Sequence, residues 1–185
     1  MRVIQNLFFG AIAFLATMVV ISFFLPEKYT VEKSIHINAP QEIVFEQVND
    51  LSSWKHWSYF ANLDTEWKVD FGNWTSGQDA SMKWKSQQLG DGKLDIVESL
   101  PYEKISAHFK YKDSGKSSFA EYLFKDAKDG TLATIRLQLS VPLTPKDKFE
   151  YIFFKPKEKS EDQFNYSLNQ LKAVSEKVFR EKLDE

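Results

Sequence analysis

The sequence predicts an α+β fold in which one curved antiparallel sheet wraps around one long C-terminal helix. Apolar residues recur at helical spacing between Ser160 and Leu183, with neither glycine nor proline inside. Most of the preceding chain alternates apolar and polar residues with a period of two, which is typical of half-buried strands. An almost wholly apolar stretch, Val3 to Leu25, adds one N-terminal helix to this architecture.

The N-terminal stretch is long enough to cross a hydrocarbon core of about 30 Å as a helix. A cleaved signal peptide is the competing interpretation, but its apolar region spans only about 7–15 residues. This run is longer and ends at Pro26 without the small residues of a cleavage site. We therefore expect residues 1–27 to be a single-pass membrane anchor and residues 28–185 to form one domain. The short N-terminal tail favours an extracytoplasmic domain, which would be periplasmic in a bacterium.

A first strand and two short helices are predicted next. Apolar and polar residues alternate from Tyr29 to Ile37, which indicates the strand. Residues 43–48 fit a helix of about two turns. Residues 51–57 fit a second short helix, with Ser52 or Ser53 as its cap.

Six more strands follow, each recognised by its period-two pattern. Gly90-Asp91-Gly92 and Asp129-Gly130 are hairpin signals, so consecutive strands are expected to pair antiparallel. The strands are predicted over residues 65–71, 80–84, 94–97, 105–111, 120–125 and 133–141.

The C-terminal helix is predicted to begin with a capping box formed by Ser160 and Gln163, just after Pro156. About 24 residues at 1.5 Å each make a rod of about 36 Å. A stripe of that length needs a whole sheet to cover it. The stripe consists of Phe164, Leu168, Leu171, Val174, Val178, Phe179 and Leu183.

Composition limits the function classes. The formal net charge of −2 argues against general nucleic-acid binding, which needs a clustered basic surface. The absence of cysteine excludes disulfides, thiolate zinc sites and cysteine nucleophiles. Sixteen Phe, seven Tyr and five Trp fit either a large core or a cavity walled by aromatic rings.

Three stretches of the domain carry recognisable motifs. Residues 34–45, Ser-Ile-His-Ile-Asn-Ala-Pro-Gln-Glu-Ile-Val-Phe, resemble an I-x-A-P-x-x-V-F entry from strand to helix. Residues 50–58 resemble a D-x-x-x-W-x-x-W-S stretch, with Tyr59 where proline often follows, and residues 77–84 loosely match a G-x-G-A…W stretch, with Asp79 in place of the second glycine. In these motifs the chain resembles the START and pollen-allergen-like superfamily (SRPBCC), and in the second motif its polyketide cyclase/dehydrase-like branch.

The resemblance implies the helix-grip fold, a seven-stranded antiparallel sheet around the C-terminal helix with a cavity between them. Members bind lipids, sterols, hormones or polyketides and a minority catalyse, so membership alone does not imply an enzyme. We expect a hydrophobic or amphipathic ligand, with lipid as one candidate class, and no cofactor. The residues expected to line the cavity are Trp67, Trp84, Phe109, Tyr111, Tyr122, Phe124, Phe164, Leu168 and Leu171.

Two groups are candidates for the cavity mouth. Trp54 and Trp57 share a helix face and either close one end of the sheet or gate the mouth. The connection over residues 142–159 is unusually apolar for a loop. It is interpreted as a short packed element, a lid, or a patch that dips into lipid headgroups. The lid candidates are Phe149, Tyr151, Phe153 and Phe154.

Catalysis would need a polar acid or base inside the cavity. The alternation along the strands gives Tyr111, Tyr122 and Glu98 as candidates for this group. Glu98 is in phase with Leu94 and Ile96. The alternative is that the tyrosines pack in the core and that Glu98 lies in water at a strand end. The three histidines form no two-histidine helical pair and no metalloprotease motif, so no metal site is predicted.

Three functions remain open from the sequence. The first is a membrane-anchored domain that binds an apolar or amphipathic small molecule. The second is an envelope-associated interaction or stress protein with a vestigial cavity, whose protein partner is unknown. The third is a cyclase/aromatase-type enzyme. A tether beside the bilayer favours capture of a membrane-partitioned molecule, because it raises the local concentration of the domain near lipid.

Overall fold

A computed structural model describes residues 2–24, 30–64, 67–88, 90–112, 115, 117–139 and 156–185. The start of the predicted second strand at Thr65 and the connection from Pro142 to Lys155 lie outside these residues. The elements are α1 (Arg2–Phe23), β1 (Thr30–Ile37), α2 (Gln41–Asn49), a 3₁₀ helix (Leu51–His56), α3 (Tyr59–Leu63), β2 (Lys68–Phe71), β3 (Ser81–Lys85), β4 (Gly92–Leu100), β5 (Lys104–Tyr111), β6 (Ser117–Ala127), β7 (Gly130–Leu139) and α4 (Pro156–Leu183).

The seven strands form one antiparallel sheet in the order β1-β7-β6-β5-β4-β3-β2, which confirms the predicted helix-grip architecture. Strand direction alternates across this sheet, so β1, β2, β4 and β6 begin at one end, where β3, β5 and β7 finish. We name this the Thr30 end, after the first residue of β1. On β5, Ile105, Ala107 and Phe109 are buried in alternation, as their period predicts.

Helix α4 lies along β1. Lys33 pairs with Glu161 at 2.9 Å near the start of the helix. Farther along, Lys172 Nζ donates to the carbonyl of His36 at 2.7 Å. Near the finish of β1, the backbone N–H of Asn38 donates to Glu176 at 2.9 Å. The first turns of α4 therefore lie toward the Thr30 end.

Helix α4 begins four residues before its predicted start. Pro156 is its first residue, and Ser160 lies inside it, so the predicted capping box is wrong. Proline suits the first helical position, because its fixed φ fits the helix and the N–H it lacks would have no intrahelical partner there. The stripe is also shorter than predicted, since Leu183 is 68% exposed.

We expect Leu171→Ala to lower the free energy of unfolding by about 2–5 kcal/mol, because it opens a cavity in packed core. Leu171 is 1% exposed, whereas Leu183 on the same helix is exposed. Leu183→Ala is the matched control and should change stability by less than about 0.5 kcal/mol. Urea unfolding followed by circular dichroism measures both. Equal losses would mean that α4 does not pack as described.

The region between α2 and β2 differs from prediction in two details. The cap of the 3₁₀ helix is Asp50, whose carboxylate accepts the backbone N–H of Ser52 at 2.9 Å, and not Ser52 or Ser53. Aspartate one position earlier reaches the unpaired N–H groups of the first turn equally well. A further helix, α3, follows and is capped by the hydroxyl of Ser58.

The N-terminal helix α1 is strongly apolar. Its segment Ile4–Phe23 has a mean hydropathy of 2.1, and by length and composition it could be a membrane span or a signal sequence. Its large side chains are exposed, with Leu7 at 70% and Phe23 at 77%. The helix therefore presents apolar surface that the rest of the described chain does not cover.

Candidate functional site

The interior between the sheet and α4 is filled by aromatic side chains. Trp54 and Trp57 are each 1% exposed, and their ring centroids lie 4.9 Å apart. Their indole N–H groups donate to the carbonyls of Val48 and Gln47, at 2.8 and 2.9 Å. Both tryptophans are therefore core residues, which favours the interpretation that they close one end of the sheet.

One small pocket next to α4 is lined by described residues of this interior. Its volume is about 20 Å³, which is room for about one water molecule. Tyr122 and Phe164 line it, together with Trp54 and Trp57. Phe124, Leu168 and Leu171 were expected along a ligand cavity but lie in packed core, each at most 4% exposed. Large rings occupy the space that such a cavity would need.

A much larger cavity, about 600 Å³, lies at the Thr30 end of β2–β5. Its centre is a row of residues that face one another across four strands, in which Val69 pairs with Trp84, Trp84 with Gly92, and Gly92 with Tyr111. Lysines and aspartates flank the row on each strand. The full lining is Lys68, Val69, Asp70, Lys83, Trp84, Lys85, Asp91, Gly92, Lys93, Lys110, Tyr111 and Lys112.

Gly92 shapes this cavity because it has no side chain. A Cβ on Gly92 would lie 2.2 Å from Cζ2 of the Trp84 indole. The ring of Trp84 therefore lies directly against the glycine backbone, with Tyr111 in edge contact at 5.9 Å between centroids. The sequence pattern places Gly92 only in a hairpin turn, because no local signal shows that a ring packs on it.

Two buried indole N–H groups near this region have no acceptor among the residues that the structure describes. Trp84 is 6% exposed, and its Nε1 has no hydrogen-bond partner among the described residues. The same holds for Nε1 of Trp67, which packs against the core. A buried N–H without an acceptor costs about 1–3 kcal/mol.

Tyr111 and Tyr122 lie on the inner face, as predicted. Burial raises the pKa of Tyr111, partly offset by its hydrogen bond with Ser118. Burial also raises the pKa of Tyr122 well above its usual range, and the proximity of Tyr111 raises it further. Both hydroxyls therefore stay protonated at neutral pH, so they can donate hydrogen bonds but are poor general bases.

Glu98 does not lie on the inner face. The register of β4 with β5 shifts between Ile96 and Glu98, which marks a β-bulge at Val97. The extra residue reverses the alternation, so Glu98 pairs with Ser106 on the outer face. There it contacts Lys104 Nζ at 2.6 Å and accepts from Ser106 at 3.1 Å. The hydrogen bond from Lys104 lowers the pKa of Glu98. Its prediction as a catalytic group inside the cavity is wrong.

Two further predictions concern lids and metals. Phe149, Tyr151, Phe153 and Phe154 lie outside the described residues, so their role as a lid stays a prediction. Among the residues described, no three His, Asp or Glu side chains cluster in a way that could hold a metal ion.

Solved structures share this fold at low sequence identity. SA2116 from Staphylococcus aureus has a TM-score of 0.63 at 13% identity, over 83% of this chain and 97% of its own. CV1439 from Chromobacterium violaceum has a TM-score of 0.56 at 18% identity, over 80% of this chain and 96% of its own. Ara h 8.0201 has a TM-score of 0.53 at 10% identity, over 80% and 97% of the two chains. These likenesses show the fold alone.

Family membership rests on a separate match. No curated protein matches the sequence. The family described as "Polyketide cyclase / dehydrase and lipid transport" matches residues 28–176, which is most of the chain and nearly all of it after α1. The strand order and the long C-terminal helix agree with the expected helix-grip fold. The chain therefore belongs to the polyketide cyclase/dehydrase and lipid transport family of the SRPBCC superfamily.

Proposed function

We propose that this chain is a membrane-anchored binding domain for a hydrophobic or amphipathic small molecule, with lipid as the leading class. The observation that carries the proposal is the cavity at the Thr30 end. It combines Val69, Trp84 and Tyr111 with a buried indole donor that has no acceptor in the described protein. Ligand sites commonly combine mostly apolar walls with a few placed polar groups. The family description, which includes lipid transport, supports the same class of ligand.

The flanking lysines favour an amphipathic ligand over a purely apolar one. Six lysines and two aspartates lie around the cavity. Five of these lysines alternate with the inward-facing residues of their strands, so the positive charge lies at its outer edge. An acidic or phosphate group of such a ligand would contact the lysines, while its apolar tail would pack against Trp84 and the residues that face it across the strands. A cyclase-type reaction is not favoured, because Glu98 lies on the outer face and both inner tyrosines hold their protons.

Anchoring by α1 is the second part of the proposal. The exposed apolar segment Ile4–Phe23 has the length of a membrane span, and no polar face divides it. If α1 is instead a cleaved signal sequence, the mature protein isolated from cells would lack its first residues. Mass spectrometry of the protein purified from membranes distinguishes these outcomes. The side of the membrane on which the domain lies stays a prediction.

Ligand binding can be tested on residues 28–185. The family match begins at residue 28, and the two bacterial structures above match over 96% and 97% of their own length, so this region corresponds to whole folded proteins. Native mass spectrometry after incubation with total membrane lipid should show a stoichiometric adduct that is lost on unfolding. A bare mass, repeated after that incubation, would contradict a binding function and favour the interaction-protein alternative.

Trp84→Phe should weaken ligand binding about 5- to 10-fold, because phenylalanine keeps an aromatic ring at this position but removes the indole N–H, a donor worth about 1 kcal/mol. Titration of the extracted lipid, followed by native mass spectrometry, measures the affinity. Trp74→Phe is the control, since Trp74 is 67% exposed and does not line the cavity. If the Trp84→Phe protein binds the ligand as tightly as the parent, the indole N–H does not contact the ligand.

A further inference from the structure

Five lysines lie on the outer face of β2–β5, where they outnumber the two aspartates of the same surface, Asp70 and Asp95. Lys68 lies directly opposite Lys85, and Lys83 lies opposite Lys93, which in turn lies opposite Lys110. Their side chains point away from the core, because Met82 and Trp84 on the same strand are buried. We name these five residues the lysine ladder.

The ladder is unfavourable for the isolated sheet. Like charges directly opposite on neighbouring strands repel each other. Asp70 lies opposite Lys83, and Asp95 relieves part of the repulsion, at 2.5 Å from Lys93 and 3.5 Å from Lys110. Lys68, Lys83 and Lys85 form no ion pair with any residue that the structure describes, and all three are exposed. Such a surface is complementary to a dense array of negative charges.

The position of the ladder indicates where those charges lie. Lys110 is opposite Ser117 on β6, and the next β6 residue, Ser118, is opposite Leu139 on β7. Thr30 pairs with the preceding β7 residue, Gln138. The ladder is therefore at the same end of the sheet as the residue where the chain arrives from α1. Six residues lie between Thr30 and Phe23, the last residue of α1, and the seven Cα–Cα steps reach at most about 25 Å.

We propose that the lysine ladder binds the phosphate headgroups of anionic phospholipids in the bilayer that carries α1. This inference rests on the anchoring proposed above. Bound in this way, the Thr30 end and its cavity face the membrane surface, so a lipid-like ligand reaches the cavity without crossing open water. The opposite end of the sheet lies away from the bilayer. There the outer-face Lys104 is already paired with Glu98.

Amine footprinting of the full chain tests the proposal. The protein is reconstituted in nanodiscs of phosphatidylcholine, with or without phosphatidylglycerol, and acetylated briefly with an N-hydroxysuccinimide ester. Mass spectrometry then gives the modification rate of each lysine. Ladder lysines should react about fivefold more slowly in the anionic discs, and high salt should remove the difference. Lys125 and Lys128, beside the β6–β7 turn at the other end of the sheet, are internal references and should not change.

A triple variant, Lys83→Gln with Lys93→Gln and Lys110→Gln, provides the second readout. Lys68 and Lys85 should lose their protection in this variant, whereas Lys125→Gln with Lys128→Gln should leave it intact. Circular dichroism checks that both variants fold. Equal ladder rates in the two kinds of disc would overturn the proposal. Equal protection by inorganic phosphate with neutral discs would also overturn it, since the ligand would then be a soluble anion.

Failure of this proposal is distinguishable from failure of the proposed function. A chain that does not enter the discs lacks the anchor, which removes the basis of both the anchoring and the ladder proposals. A chain that enters the discs but keeps an unprotected ladder contradicts only the headgroup contact. Ligand binding in the cavity is measured separately, on residues 28–185 without a membrane.

Discussion

Trp54→Ala is expected to lower the free energy of unfolding by about 3–5 kcal/mol, the range for truncating a buried aromatic side chain. Trp54 is 1% exposed and contacts the rings of both Trp57 and Tyr122, at 4.9 and 5.6 Å between centroids. The substitution also leaves the carbonyl of Val48 without its indole donor. A loss of this size is a large part of the total stability of a typical domain, about 5–15 kcal/mol. Urea unfolding of residues 28–185 measures it.

Trp74→Ala is the matched control, because Trp74 is 67% exposed. Its effect should stay within about 0.5 kcal/mol. A small effect of Trp54→Ala, close to that of the control, would contradict the packed interior described here. It would instead favour the interpretation in which Trp54 lies at a cavity mouth.

Gly92→Ala is expected to lower the free energy of unfolding by about 1–3 kcal/mol through overpacking, and to abolish ligand binding in the cavity. The added Cβ would meet the Trp84 indole at 2.2 Å, so the ring must move. Because Trp84 lines the cavity, a displaced ring changes the shape of the site and the position of its N–H. Urea unfolding, tryptophan fluorescence and native mass spectrometry measure the three consequences.

Two further variants test whether the clash between the new Cβ and the Trp84 indole causes the loss of stability. In Gly72→Ala the new Cβ would meet mainly the hydroxyl of Ser81, which can rotate away, so a smaller effect is expected. In a protein that already carries Trp84→Leu, Gly92→Ala should cost much less than in the parent, because the ring is gone. A double-mutant cycle measures this coupling. Additive effects would show that Gly92 acts through its backbone and not through Trp84.

Much of the fold could be predicted because its signals are local. Alternation along residues 105–111 indicates which side chains face inward. The Asp129-Gly130 pair indicates a turn between two strands. In the structure Ala127 pairs with Gly130, so the two loop residues are Lys128 and Asp129, one position earlier than the Asp-Gly pair, and Asp129 has a positive φ of 64°. The spacing of Leu168 and Leu171 likewise predicts the buried face of α4.

The incorrect predictions concern positions where a single residue alters the local sequence pattern. The bulge at Val97 moved Glu98 to the outer face, because an extra residue in one strand reverses the period-two pattern without changing composition. The first turn of α4 extends back to Pro156, because proline is compatible with the start of a helix. Neither event leaves a signal in the hydrophobic pattern.

The sequence by itself determined the architecture: seven amphipathic strands, a long C-terminal helix and an apolar N-terminal helix. These follow from backbone geometry, which repeats every two or every 3.6 residues whatever lies across from it. Only the tertiary structure decided where free volume remains. Trp54, Trp57 and Tyr122 fill the space beside α4, while Gly92 gives Trp84 room at the Thr30 end. Filling a shared volume depends on side chains distant in sequence, so no local period can report it.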